Sequence, residues 1–135
     1  MVDGRDLRQN NLLKCLVHLP IGFNSPRLFY SEVVEVREDS VLMKHGLYKY
    51  SDVAPITLSH DILLDCGGKP LEEDKIVFSD PDNAFPEIRI LIQEDRFYLV
   101  SGKGKKMSVP IEAVHDFQNL YYALTQRELN VKLEL

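Results

Sequence analysis

Cysteine is nearly absent from this chain of 135 residues. Cys15 and Cys66 form no CxxC pair, and only a bond between the two could build a disulfide framework. The expectation is two reduced, buried thiols, as in a cytosolic protein. Long apolar runs are absent as well. The stretch LLKCLVHLPIGF (12–23) is interrupted by Lys14, His18 and Pro20, and no small-residue cleavage site follows it, so it does not read as a secretory leader. Nothing approaches the roughly 18 apolar residues of a membrane span, and the opening MVDG carries no myristoylation signal. A soluble, cytoplasmic protein without a membrane partner is expected. A positive excess is also missing. The net charge of −5 and pI near 5.3 exclude coating of nucleic acid through bulk charge, leaving room only for a local basic patch.

The signatures of common chemistry are missing too. There is no nucleophile elbow, Gly-rich dinucleotide fingerprint or catalytic Cys/His pattern, so neither enzymatic activity nor a cofactor is expected. His18, His45, His60 and His115 are dispersed without ligand spacing, which gives no reason to expect a metal. SDPDNAF (79–85) offers Asp80, Asp82 and Asn83. The glycine and bidentate glutamate of a calcium loop would fall at Phe85 and Leu91, so a polar turn is expected instead.

What is present is the pattern of one small α+β protein. With 44% apolar residues, a chain of this length can bury roughly two-thirds of the surface its unfolded form exposes. LLKCLVHL (12–19), LFYSEVVEVR (28–37) and VLMKHG (41–46) read as short strands with turn chemistry between them, which predicts a small N-terminal SH3-like β-barrel over 1–56. Residues 57–135 then predict an α+β subdomain. Ser59 is a good N-cap, Leu58 and Leu63 have the spacing of a hydrophobic staple and Gly67 is a natural stop, giving a joining helix over about 60–66. KIVFS (75–79), EIRILIQ (87–93), RFYLVS (96–101) and MSVPI (107–111) predict an antiparallel meander. A C-terminal helix should pack on it.

Two places could carry function. SGKGKKMS (101–108) puts Lys103, Lys105 and Lys106 at a hairpin tip beside Tyr98; it lacks P-loop spacing, and its functional reading is contact with nucleic acid, Tyr98 stacking on a base. The second place is the C-terminal helix. At about 100° per residue, Val114, Phe117, Leu120, Tyr121 and Leu124 fall within an arc of about 120°, the width of a core stripe. His115, Asn119, Tyr122 and Gln126 form a second stripe about 60° wide, with none of the Lys or Glu of an ordinary solvated face. It is either packed with its polar groups paired, or a contact surface anchored by Tyr122.

The helix also carries a resemblance. His115, Gln118, Asn119, Leu120, Tyr121, Ala123, Leu124, Thr125, Glu128 and Leu129 match a motif close to H-x-L-Q-N-L-Y-F-A-L-T-G-x-E-L. DLRQNNLL (6–13) is similar to an E-L-R-x-G-N-x-V opening, and PITLSHDILLDCGG (55–68) to P-I-P-L-T-E-E-x-L-x-x-x-G-F. In these segments the chain resembles a family of small uncharacterised proteins from anaerobic gut bacteria, their phages and mobile elements. The resemblance implies a fold and a setting, and no activity, catalytic residue or cofactor. Asn10 stands where the opening has glycine, and Phe117 and Tyr122 replace leucine and phenylalanine. A phenylalanine at the Tyr122 position implies that this site packs. Gln126 stands where the pattern's helix stops at glycine, which leaves the helix end open toward Arg127. The expected function is a non-enzymatic interaction module, an accessory protein of mobile elements that binds another protein through its barrel or terminal helix. Nucleic-acid binding by the barrel and the Lys103–Lys106 tip is the alternative.

Overall fold

The computed structural model describes residues 4–17, 27–80, 87–100 and 105–131. Lys103 and the Asp82–Phe85 part of the acidic turn lie outside them. The chain is α+β and divides into two compact units, Met1–Ile56 and Thr57–Lys132.

The first unit is a five-stranded antiparallel sheet. Its strands are β1 (Leu12–Val17), β2 (Arg27–Val36), β3 (Ser40–Met43), β4 (Gly46–Lys49) and β5 (Val53–Ala54), in the order β4-β3-β2-β1-β5. Alternation puts one set of side chains inside, and Leu13, Cys15, Val33, Val41, Met43 and Val53 form the buried core. Burying each larger member is worth about 1.5–3 kcal/mol. The register between β2 and β3 slips between Val33 and Glu35, so Val34 and Glu35 are both exposed and the inward side resumes at Val36, opposite buried Val41.

The sheet does not close into the expected barrel. The chain passes from β4 to β5 through a 3₁₀ turn, Tyr50–Asp52, and β5 keeps only two residues, both paired with β1. Among the described residues no ladder joins β4 to β5, so the sheet keeps two edges.

In the second unit, α1 (His60–Asp65) begins as its sequence suggests: Ser59 Oγ accepts a hydrogen bond from the Ile62 amide at 3.2 Å. It ends at Gly67, whose φ of +106° suits glycine, and the amides of Gly67 and Gly68 close on the carbonyls of Leu64 and Leu63. Gly68 then passes so near the sheet that an added Cβ would lie 2.6 Å from Ile76 and 2.8 Å from the Leu63 carbonyl.

The sheet runs β6 (Lys69–Glu72), β7 (Lys75–Phe78), β8 (Ile88–Gln93) and β9 (Arg96–Val100), each antiparallel to its neighbour. It is a four-stranded meander displaced by one strand from expectation. β6 is exposed along its whole length and so shows no apolar alternation, and its Pro70 is tolerated because the strand is an edge. MSVPI forms no continuous strand. Lys106 bridges Val100 and Ile111 bridges Phe97, with Met107 and Ile111 amides donating to Leu99 and Phe97 carbonyls. Four residue steps on this segment span two on β9, and Pro110 has no amide to donate, so Ser108–Pro110 bulges outward.

The helix α2 (Val114–Thr125) covers the inner sheet face, where Phe117 and Tyr121 pack on Phe78 with ring centroids 5.1 and 6.2 Å apart. It stops at Thr125 and does not run on toward Arg127. Gln126 caps it in the left-handed region, φ 61°, with its amide on the Tyr122 carbonyl.

Candidate functional site

The faces of α2 decide where a site can be. Val114, His115, Phe117, Gln118 and Thr125 are buried. On the 100° wheel their centre lies about 80° away from the centre of the expected apolar arc. Leu120 is only half-buried and Leu124 is 44% exposed, so the helix is rolled with one margin of its apolar stripe outward. The buried place of those leucines is taken by polar groups. At the helix end the Thr125 hydroxyl donates to the Tyr121 carbonyl at 2.7 Å and accepts from the Arg127 amide at 3.1 Å, so its burial leaves no unmet donor.

The second stripe does not survive as one face. His115 is 6% exposed and cannot serve as an open contact, whereas Asn119 is half-buried, Tyr122 is 37% exposed and Gln126 is exposed. The packing implied for the Tyr122 position is therefore incomplete. The imidazole of His115 has its Nε2 3.4 Å from a carboxylate oxygen of Asp116, while its buried Nδ1 has no hydrogen-bond partner.

What the roll exposes is a groove. Its walls are the bulged Met107–Ile111 segment, Leu99 of β9 and Leu120 of α2, enclosing about 520 Å³. Val109 is 74% exposed and Met107 51%, both apolar and both on its rim. The charged groups lining it, Glu112 and Asp116, are both acidic. Sequence reasoning missed these residues because it placed Leu120 and Leu124 in the core and read 107–111 as a regular strand. Pro110 was the one available signal.

Of the lysines singled out in the sequence, Lys105 and Lys106 fall among the described residues. Lys106 reaches over Tyr98, Nζ 4.3 Å from the ring centroid, and donates to Gln93 Oε1 at 2.7 Å; Lys105 is exposed beside it. In the first unit a hollow of about 620 Å³ lies along β3 and β4, with Tyr48 and Tyr50 in its wall and the Tyr50 hydroxyl donating to the Arg37 carbonyl.

Among the described residues there is no group of three His, Cys, Asp or Glu side chains placed to hold a metal ion, and no helix is long and apolar enough to cross a membrane. The buried side chain of Asp80, two residues past β7, pairs at 3.1 Å with exposed Arg127, just past the end of α2. Burial pushes both thiols up to about 11, Cys66 with help from the Asp65 carboxylate, so neither is an activated nucleophile. No protein-family model, curated protein or solved structure matches the chain.

Proposed function

We propose that the chain is a non-enzymatic interaction module whose groove between the Met107–Ile111 segment and α2 receives a short segment of a partner protein. The observation that carries this is Val109, an apolar side chain 74% exposed at the rim of an apolar groove that Met107 and Leu120 continue. The charge of the rim selects the occupant. Glu112 and Asp116 favour a bulky apolar side chain flanked by Lys or Arg, and they disfavour a second copy of this chain, which would bring the same carboxylates and a net charge of −5.

The setting belongs to the same reading: a cytoplasmic accessory protein of bacterial mobile elements. The C-terminal motif and the opening support it, because Asn10 and Gln126, which stand where the pattern has glycine, both have positive φ. For the first unit we infer SH3-like ancestry. The strand order and the 3₁₀ turn before β5 support that, with closure missing.

The test is selection of a random-peptide phage library on the full chain. Enriched peptides should pair an apolar residue with neighbouring Lys or Arg. Val109→Asp or Glu112→Lys, both at exposed positions, should weaken them about tenfold or more, a loss of ~1.4 kcal/mol. Peptides that bind both variants as well as the parent, or sedimentation showing the parent as a dimer that Val109→Asp dissolves, would overturn this assignment.

A further inference from the structure

The outer face of the β6–β9 sheet is the other surface with a definite chemistry. Directly opposed residues of an antiparallel ladder share a face. Lys75, Leu91 and Tyr98 form one row across three strands, and Val77, Arg89 and Val100 form the next. Lys69 extends the second row onto β6, Arg96 lies beside Gln93 at the far end, and Lys106 adds its ammonium above Tyr98. Five cations thus share one sheet face with Tyr98, on a chain whose net charge is −5, and Lys106 is the one placed on the ring itself. The carboxylates paired there are Glu72, 3.7 Å from Lys75, and Glu87, 3.3 Å from Arg89.

We infer that this face binds single-stranded nucleic acid, with Tyr98 as the stacking platform and Arg96, Arg89 and Lys106 on the phosphates. The face of a four-stranded sheet is too broad to enter a duplex groove, and a duplex hides the faces of its bases, whereas an unpaired base can lie on a tyrosine ring. Lys106 occupies the ring in the free protein. An exposed cation over an aromatic ring is held weakly, so a base can displace it and send the ammonium to a neighbouring phosphate. The negative charge elsewhere on the chain confines this binding to low salt.

Fluorescence anisotropy of a labelled oligo-thymidine strand, titrated with the full chain between about 50 and 200 mM salt, tests the assignment. The strand should bind at the low end, and a duplex of equal length should bind less tightly. Arg96→Gln and Lys106→Gln should each reduce the slope of log affinity on log salt by about 0.7, the contribution of one phosphate contact on a single strand. Tyr98→Leu keeps an apolar side chain beside Leu91 and should weaken binding roughly fivefold to a hundredfold with the slope unchanged, while Tyr98→Phe restores it. In the unsubstituted protein, upfield shifts of the Tyr98 ring protons on titration report the same stacking. An unmoved Tyr98 resonance, no binding at about 50 mM salt, or equal competition by inorganic polyphosphate would overturn the proposal.

Discussion

At Asn10, Glu94, Asp95 and Gln126 a residue other than glycine holds left-handed backbone, with φ between 53° and 74°. Glu94 and Asp95 are the two-residue turn between β8 and β9, where positive φ at both positions matches the twist of the strands. Asn10 and Gln126 have a different reason. Asn10 donates its amide to the Val33 carbonyl and leads into buried Asn11, whose Oδ1 accepts from the Arg8 amide at 2.6 Å. Gln126 ends α2. Left-handed backbone is expensive for a β-carbon and free for glycine, with asparagine between the two. Gln126→Gly should therefore stabilise the protein by about 0.5–1 kcal/mol, and Asn10→Gly by only a few tenths. Urea denaturation followed by circular dichroism measures both. If Gln126→Gly is destabilising, the helix end has been assigned to the wrong residue.

At the scale of the element, α2 shows how far an apolar pattern can be read. The existence of the helix, its approximate limits and the burial of Phe117 were legible, because Val114, Phe117 and Tyr121 recur at helical spacing. Its roll was not. A wheel ranks residues by polarity, yet Gln118 and Thr125 are inside and Leu124 is outside, because burial follows how the helix docks on the sheet and, at Thr125, the hydroxyl's bonds at the helix end. The same limit explains β6 and the broken 107–111 strand, whose form depends on partners and not on alternation. The groove is a product of that roll, which is why it could not be read in advance. Alanine substitution separates the two orientations. Phe117→Ala should cost about 3–5 kcal/mol as a buried aromatic, and Leu124→Ala within about 0.5 kcal/mol as a surface residue. Equal losses on thermal or urea unfolding would return Leu124 to the core.

At the scale of the whole molecule, each unit holds one thiol, Cys15 fully buried in the first and Cys66 partly buried in the second. Burial favours the neutral thiol over the thiolate, which raises both from an ordinary 9.0 to about 11. Burial also pushes Tyr48 and Tyr121 upward. The sign of the linkage follows directly. An unfolded chain gives up these thiol protons near pH 9 while the folded chain keeps them to about pH 11, so the unfolded state binds fewer protons in that window. The contribution to stability is complete below about pH 9 and is lost as pH rises toward about 11. Urea midpoints should accordingly fall across this interval in the parent protein. A Cys15→Ala/Cys66→Ala variant starts lower at neutral pH but should fall less steeply, the tyrosines supplying what remains. The native thiols should also react about a hundredfold more slowly than an ordinary thiol with a thiolate-selective reagent near pH 8, in proportion to their smaller thiolate fraction. An alkaline profile that is the same with and without the two cysteines would mean that their burial contributes nothing to how either unit holds together.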